Sequence, residues 1–402
     1  MTTTERRSAP TVIPIRDEEF TDFRTEAAEF LAGNRVERTF IGFRLKQGVY
    51  GQRQIGRQMI RVKLPFGGLG PDQMEAFAQI AERFAPLGKG HITTRQNIQY
   101  HHIPLAEMYD VLRILGDHGL SSREACGNVV RNVTGDPWAG VRADEPFDIT
   151  PYAGAFVRYW VRNPLTQLLP RKFKVTFSGS AADAALTPIH DIGFTPRIRE
   201  VAGKQVRGFR MVVGGGLSTM PKEAVVLTEF VPVEDFLTYS EAVIRIFNDA
   251  DELRVNILKA RLKFLVHRVG VEEFRRLVDE RLAQDWAQQR PDLDALLLQD
   301  DEAAVAPPPG ALDLAQVPAA ERAAFERFVA DNVREQKQAG YYAVEVLVHQ
   351  GDLRPEQWRG LAAITGEYGA GRARTTQAQN MVLRWIPGPH LYPVWRTITS
   401  TA

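Results

Sequence analysis

The sequence predicts an α+β protein in which one small α+β unit occurs twice, on either side of a larger α+β region. Three observations support this fold class. Alternating apolar positions over 59–64 predict a strand, and Pro71 opens an amphipathic helical pattern. A second strand (93–104) and a second helix (105–116) follow, and helices between strands indicate a small layered unit. The same order of elements returns after residue 340.

The duplication shows in both spacing and residue type. AVEVLV at 343–348 alternates like 59–64, and Pro355 opens a helix as Pro71 does. TTQAQNMVLRWIP at 375–387 resembles TTRQNIQYHHIP with one extra residue. Such a match predicts two copies of one unit, 43–118 and 341–402, and we expect them to lie side by side in one pseudo-symmetric sheet. The alternative is two unrelated βαβ segments that share common turn and helix-start residues.

The rest of the chain divides by composition. Residues 1–40 are a polar arm with one helical pattern at about 17–32, and 41–120 hold the first copy. The central region, 121–287, has strands near 171–178 and 207–213 and helices near 234–248, 254–267 and 271–285. A Pro-rich, acidic stretch predicts a linker over 288–338. The second copy, 339–402, is expected to be incomplete, because no counterpart of Cys126–Gly135 follows it.

Composition excludes several classes of protein. Lys plus Arg total 50 and Asp plus Glu total 49, so net charge gives no case for nucleic-acid binding. No apolar run approaches the roughly 18 residues of a membrane span, and no apolar signal segment opens the chain, so we expect a cytoplasmic protein. Cys126 is the single cysteine, which excludes an internal disulfide and a cluster held by four thiolates of this chain.

A row of polar residues opens the strand predicted at 93–104. Period two puts Gln99 and His101 on one face, after a run of residues with long or hydrogen-bonding side chains. Such a face suits an extended anionic ligand, although a solvated face is an equal alternative. The candidates are Thr93, Thr94, Arg95, Gln96, Asn97, Gln99 and His101.

Basic residues also occur where charge is unexpected. Lys172 and Lys174 lie two apart on a predicted strand, so both ammonium groups share a face and need water or an anion beside them. Arg131 lies among valines and Arg61 between Ile60 and Val62, and a guanidinium in apolar surroundings needs an anionic partner. An exposed basic edge that discourages aggregation is the alternative for the two lysines.

Weaker signals follow along the chain. Lys259 and Lys263 are four apart, and so share a predicted helix face with Asn256 nearby. Gly215 lies in a glycine run that permits close backbone approach but has no nucleotide-binding spacing. An ordinary solvated helix face is the more common explanation of such lysines.

Together these segments resemble the siroheme-dependent, ferredoxin-type nitrite/sulfite reductases over almost the whole chain. The resemblance rests on six motifs in register, namely GVYGQRQIGRQMIRVKLPFGG, HITTRQNIQYHHI, GNVVRNVTGDPWAG, LPRKFKVTFSG, VGGGLS and the Asn256–Lys263 segment. It implies duplicated ferredoxin-reductase-like half-domains flanking a central α+β siroheme-binding domain.

The resemblance also implies roles for these residues. Arg61, Arg131, Lys172 and Lys174 match residues around the substrate pocket of the haem, where they would hold nitrite or sulfite. We expect all four to converge on one pocket. The siroheme contacts would be Thr93, Arg95, Gln96, Asn97, Gln99, His101, Gly215, Asn256, Lys259 and Lys263. A ferredoxin or similar protein would donate electrons, and Lys174 leans toward sulfite, since plant-type nitrite reductases tend to have Asn there.

One departure from the family puts activity in doubt. The family binds a [4Fe–4S] cluster through two cysteine pairs, one thiolate of which bridges to the siroheme iron, and this chain has neither pair. The chain is therefore expected to be inactive by itself, as a truncated reductase. The alternatives are a non-catalytic siroheme-binding or partner subunit of a split reductase, and a cobalamin-pathway relative of the same fold.

Overall fold

A computed structural model describes residues 11–401, and the first ten residues of the predicted arm lie outside the described part. The chain forms two compact units. Unit 1 contains residues up to 122, a short piece at 141–143, and 299–402. Unit 2 contains 123–140 and 144–298. Unit 1 therefore holds both copies of the repeat, and the central region is a unit of its own.

The first half of unit 1 alternates helices and short strands. Its elements are α1 (Asp17–Leu31), α2 (Glu37–Lys46), β1 (Val49–Gly51), β2 (Arg57–Val62), β3 (Gly68–Leu69), α3 (Pro71–Arg83), β4 (Gly90–Ile92), β5 (Ile98–Pro104) and α4 (Met108–Asp117).

Unit 2 contains a mixed sheet with helices packed on it. Its elements are β6 (Thr134–Gly135), α5 (Thr150–Trp160), β7 (Val175–Phe177), β8 (Ile192–Val201), β9 (Lys204–Val213), β10 (Val225–Pro232), α6 (Phe236–Asp249), α7 (Glu252–Val255), α8 (Leu262–Val269), α9 (Val271–Leu282), α10 (Asp285–Gln288) and α11 (Leu293–Leu296). The strand order is β10-β9-β8-β7-β6, parallel between β6, β7 and β8 and antiparallel beyond. Buried aromatic rings fill its core, with Phe177 stacked on Phe194 at 4.6 Å between centroids.

The second half of unit 1 repeats the first, element by element. It consists of α12 (Glu302–Val305), α13 (Ala319–Asn332), β11 (Val333–Glu335), β12 (Tyr341–Val346), β13 (Asp352–Leu353), α14 (Pro355–Glu367), β14 (Ala373–Thr375), β15 (Met381–Pro387) and α15 (Leu391–Thr401). Apart from α12, each element has a counterpart in the first half, starting with α13 and α2. The predicted duplication is confirmed.

The prediction of a single continuous sheet is wrong, because each half builds its own sheet. The strand orders are β1-β2-β5-β4-β13 and β11-β12-β15-β14-β3, so each half lends a two-residue strand to the other. Left-handed residues make this exchange possible, with Phe66 at φ 44° and Gly67 at φ 73° before β3, and Gln350 at φ 55° and Gly351 at φ 73° before β13. These turns direct the chain out of its own sheet.

Helices α3 and α14 pack against each other and join the two halves in one core. Phe77 and Trp358 meet between them, and both are fully buried, with ring centroids 5.1 Å apart. Tyr100 on β5 donates its hydroxyl to the carbonyl oxygen of Phe77 at 2.7 Å. The exchange of strands and the shared helix pair make the duplicated unit a single folded body.

Two segments are more ordered than expected. A second helix, α2, begins near the end of the arm and continues to Lys46, and both Phe23 and Phe40 are fully buried in the core of unit 1. The segment 288–338, expected to be a linker, contains α13, whose Phe325 is also fully buried. The second copy therefore begins earlier than residue 339. The sequence did not predict its first helix, because α13 has no clear apolar stripe and Phe325 is its one buried residue.

Among residues 11–401, no helix combines the length and apolar character that crossing a bilayer requires.

Candidate functional site

Three of the predicted substrate-pocket residues lie on adjacent segments of unit 2. Val130 and Phe173 form a parallel bridge, with Phe173 N–H donating to Val129 and Phe173 O accepting from Arg131 N–H at 2.9 Å. Phe173 and Val130 are buried, so the pleat directs Arg131, Lys172 and Lys174 to the opposite side. All three are half-buried. Of the strand predicted near 171–178, only Val175–Phe177 is regular, but the alternation on which the prediction depended is present.

Local hydrogen bonds orient this basic cluster. Arg131 donates through Nε to Gly127 O at 2.8 Å and through Nη1 to Ala125 O at 3.0 Å, which fixes the guanidinium over the preceding turn. The Lys174 N–H donates to Asp191 Oδ2 at 2.7 Å. Asp191 is fully buried and forms a two-pronged ion pair with Arg261, at 2.7 and 3.1 Å. The base of the cluster is therefore held by a buried charge pair.

The predicted helix over 254–267 is broken, and this corrects the role assigned to Lys263. Lys259 ends an exposed 3₁₀ turn and Lys263 lies in α8, so the two lysines share no helix face. Lys263 is 1% exposed, and its Nζ donates to the carbonyl oxygens of Gly216, Leu217, Thr219 and Met220 at 2.9–3.4 Å. A lysine so engaged stabilises the loop that follows β9.

The neighbouring candidates also have local roles. Asn256 caps the 3₁₀ turn, accepting from Leu258 N–H at 3.0 Å. A Cβ on Gly215 would lie 2.1 Å from the Pro188 carbonyl oxygen, so close backbone packing requires the glycine there. Lys259 remains exposed on the surface.

In unit 1 the residues 93–97 form the tight turn between β4 and β5, so the predicted strand begins only at Ile98. Thr93 N–H donates to Asn97 O at 2.9 Å, and Thr93 Oγ1 donates to Asn97 Oδ1 at 2.5 Å. Gln96 has φ 57° and is fully buried, and its amide donates to Thr375 O at 2.7 Å. Thr93, Gln96 and Asn97 therefore shape and anchor the turn, whereas Arg95 is half-buried.

A polar row crosses the first sheet beyond this turn. The strand register aligns Arg61 with Gln99, Gln99 with His91 and His91 with Asp352, on β2, β5, β4 and β13. With the Gln99 amide oriented to satisfy both neighbours, its oxygen accepts from Arg61 Nε at 2.8 Å and its nitrogen donates to His101 Nε2 at 3.2 Å. Gln99 thus links the arginine to the histidine.

His101 is a weak cation in this setting. Burial lowers the pKa of its imidazole, the nearby His91, His102 and Arg61 side chains lower it further, and Asp352 offsets part of this effect. We therefore expect His101 to be neutral near pH 7 and to act by hydrogen bonding rather than by charge.

Metal-binding groups are sparse in the described residues. No group of three or more His, Cys, Asp or Glu side chains in residues 11–401 could hold a metal ion. The one cysteine, Cys126, is buried, and a single thiol cannot form a disulfide within the chain. The donor set of this chain does not fit a cluster that needs four thiolates.

Family models match most of the chain in the order that the fold predicts. The nitrite/sulfite reductase ferredoxin-like half domain matches twice, at 50–118 and 334–400. The nitrite and sulphite reductase 4Fe-4S domain matches 126–285. The chain belongs to the siroheme nitrite/sulfite reductase family. The two half-domain matches fall on the two halves of unit 1, and the third falls within unit 2 apart from residues 141–143.

Individual reductases of the family give the same result. A ferredoxin–nitrite reductase of Synechococcus elongatus is 30% identical over 347 residues, 84% of this chain and 60% of that protein. A ferredoxin sulfite reductase of Mycolicibacterium paratuberculosis is 35% identical over 222 residues, 55% of this chain and 39% of that protein. The chain thus spans at most about 60% of the length of these curated relatives.

The solved Mycobacterium tuberculosis NirA protein has a similar fold. It superposes with a TM-score of 0.75 at 27% identity, covering 95% of this chain and 67% of that one.

Sequence reasoning missed several residues of these reductase half-domains. His91 and Lys89 engage Asp352, through His91 Nδ1 at 2.9 Å and Lys89 Nζ at 2.6 Å. The signal was in the repeat, since Lys89 and His91 correspond to Arg372 and Arg374, a basic pair two residues apart in both copies. The Asp191–Arg261 pair gave no such signal, because its partners are far apart in sequence and occur once.

Proposed function

We propose that this chain provides the anion-binding part of a siroheme nitrite/sulfite reductase, with Arg131, Lys172 and Lys174 as the residues that hold the substrate. The observation that carries the proposal is their placement on one side of two paired segments, within the region that matches the reductase model. Arg61 completes the set by resemblance, and its convergence with the other three stays a prediction.

The chemistry of these side chains fits a small oxyanion. Nitrite and sulfite concentrate negative charge on two or three oxygens, and a guanidinium beside two ammonium groups supplies donors of the opposite charge. Because the cluster is half-buried, its charges act through a lower effective dielectric than bulk water provides. The lysines can also hold a proton next to a bound oxygen, which favours loss of that oxygen as water.

Siroheme fits the donor set in part. Its rim of carboxylates would be held by Arg95 and Lys259, with Gln99 and His101 as hydrogen-bonding neighbours. Lys263 and Gln96 already have their polar groups bound within the protein, so the proposed contacts do not include them. When bound, siroheme would supply the iron at which the substrate is reduced. This chain's own residues bind and orient the anion and exclude water from it.

A [4Fe–4S] cluster does not fit this chain by itself, because Cys126 is its single cysteine and is buried. This observation favours a second candidate function, a siroheme-binding subunit that works with a cysteine-bearing partner chain. The two candidates share the same substrate-binding cluster and differ in the source of electrons. A ferredoxin-type donor is proposed for either, as the relatives' names specify.

Removing the clustered charges should weaken anion binding. We expect the double variant Lys172→Gln/Lys174→Gln, and separately Arg131→Gln, to bind sulfite and nitrite at least tenfold more weakly, since each charged hydrogen bond contributes about 1.5–3 kcal/mol. Binding is measured by isothermal titration calorimetry with the siroheme-reconstituted chain.

A control variant separates site binding from general electrostatics. Lys204→Gln removes one positive charge, as Arg131→Gln does, from the exposed start of β9 in the same unit and should leave affinity within twofold. Equal losses in Lys204→Gln and in the cluster variants would show that the cluster is not the binding site.

A further inference from the structure

A buried carboxylate occupies a basic pocket in the second half of unit 1. Glu302 Oε2 accepts from Trp385 Nε1 at 2.5 Å and lies 2.9 Å from Arg384 Nε. Its Oε1 lies 3.1 Å from Arg374 Nη2. Glu302, Arg374 and Arg384 are 7%, 3% and 2% exposed. An isolated buried charge would be strongly unfavourable, so the carboxylate and the two arginines each depend on the others.

The electrostatics agree with this geometry. Burial by itself would raise the pKa of Glu302, but Arg384, Arg374, the Trp385 N–H and Arg372 more than offset it and hold the pKa below its usual range. The carboxyl group is therefore ionised at neutral pH, as an anionic ligand in a cationic pocket would be.

The pocket lies at the counterpart of the polar row in the first half. Arg374 on β14 aligns with Val382 on β15, as His91 aligns with Gln99 in the first sheet. Arg384 follows Val382 by two residues, so it shares the face of Arg374. The second half therefore has its own cluster of donors on the equivalent sheet face.

The carboxylates that fill this face come from outside the repeat. Glu302 begins α12, the one element of the second half without a counterpart in the first. Two residues earlier, Asp300 binds Arg372 through two oxygens at 2.5 and 3.1 Å. The segment 300–302 thus places two carboxylates against Arg372, which precedes β14, and Arg374 on β14.

Glu302 leaves part of the donor set unused. The Nη1 atom of Arg384 is buried and has no hydrogen-bond partner among the described residues. A buried donor without an acceptor is unfavourable, because it has lost its hydrogen bonds to water. A side-chain carboxylate tethered to α12 satisfies this pocket incompletely, whereas an untethered oxyanion is free to place its oxygens where the donors are.

We propose that the second half-domain contains its own oxyanion-binding site, which Glu302 fills as an intramolecular ligand. Removing that carboxylate opens the site to small carboxylates such as formate and acetate. This inference is independent of the function proposed above, because it concerns only the face of the second sheet. The segment 300–302 therefore occupies the site in the native protein and is more than a linker.

Chemical rescue tests the proposal. Glu302→Ala removes the carboxylate and leaves a space of about acetate size. We expect the melting temperature of this variant to fall, and acetate or formate to restore at least half of the loss, saturating at a dissociation constant on the order of millimolar. Sodium chloride at equal ionic strength should not restore it.

The matched control is Glu321→Ala. Glu321 also binds an arginine and an aromatic side chain, Arg396 and Tyr392, but near the surface. Acetate should not stabilise this variant beyond the chloride reference. Equal effects of acetate on the two alanine variants would overturn the proposal.

A site-specific readout uses the Trp385 indole. Its N–H resonance should move in Glu302→Ala and return toward the wild-type position as acetate is added, with assignment by Trp385→Phe. If Glu302→Ala folds poorly, refolding yield in acetate against chloride gives the same comparison. If acetate neither moves the Trp385 resonance nor raises the refolding yield, the proposal that Glu302 is an intramolecular ligand is wrong.

Discussion

At the scale of single residues, spacing predicted which side chains carry charge but not which of them are already engaged. Lys172 and Lys174 are placed by strand alternation, a local property that spacing reveals. Lys263 looked similar in sequence, yet its ammonium is surrounded by four carbonyl oxygens from a loop more than forty residues away. Such partners depend on tertiary structure, so a single sequence cannot reveal them.

Replacing Lys263 should therefore reduce stability rather than only ligand affinity. In Lys263→Met the four carbonyl oxygens lose a shared donor, and we expect a loss of about 1–3 kcal/mol in the free energy of unfolding. Urea denaturation measures it. Lys259→Met, on the exposed turn, should change stability by less than about 0.5 kcal/mol. If Lys263→Met is as stable as the wild-type protein, the structural role of Lys263 is contradicted and a role in siroheme binding is favoured again.

At the scale of elements, the repeat predicted the strands and helices well and their partners less well. Helices α3 and α14 begin at the two prolines from which the sequence predicted them, because a first-turn proline and apolar periodicity are local signals. The exchange of β3 and β13 between sheets was missed, since strands of two residues have no periodicity to read. Helix α13 was missed for a related reason, having a Pro-rich stretch before it and a single buried residue.

A reciprocal pair of glutamines joins the two halves of unit 1. Gln96 Nε2 donates to Thr375 O at 2.7 Å, and its counterpart Gln379 donates to Ile92 O, also at 2.7 Å. Thr375 and Ile92 occupy equivalent positions at the ends of β14 and β4. The pseudo-symmetry thus extends to individual hydrogen bonds.

Because the two bonds are equivalent, their loss should have similar effects. We expect Gln96→Leu and Gln379→Leu each to lower the free energy of unfolding by about 1–2 kcal/mol, since each leaves a carbonyl oxygen without its donor. The control is Gln79→Leu, whose amide bonds only to Glu75 at 3.4 Å on the same helix. Guanidinium denaturation compares the three. A loss confined to one half would contradict the equivalence of the two glutamines.

At the scale of the whole molecule, nearly balanced charge conceals local clusters of like charge. Lys plus Arg exceed Asp plus Glu by one, from 50 and 49. Within this balance, Arg131, Lys172 and Lys174 are gathered on one side of two segments, while Arg374 and Arg384 have their counter-charge supplied by Glu302. Arg374 and Arg384 are thus neutralised from within the protein, whereas binding of an external anion by Arg131, Lys172 and Lys174 stays a proposal.

With a single cysteine, the 402 residues cannot supply the ligands of a four-thiolate cluster. Substrate-binding residues can be supplied by arginine and lysine, but a four-thiolate cluster cannot be built from one cysteine. We propose that binding of the anion and delivery of electrons to it depend on separate groups of residues. That separation can be tested by measuring binding and turnover on the same preparation.

We expect the purified 402-residue chain to bind sulfite or nitrite and yet to show no sustained multi-electron reduction of either. Cationic side chains hold an anion, but they carry no electrons, and Cys126 is too deeply buried to serve a redox group at the surface. The assay is steady-state ammonia or sulfide production after reconstitution with siroheme and an artificial donor. Adding a cysteine-bearing reductase fragment in trans is the positive arm, and Lys172→Gln/Lys174→Gln should abolish any activity restored there. Turnover by the chain alone at rates typical of enzymes, about 1 per second or more, would contradict the separation.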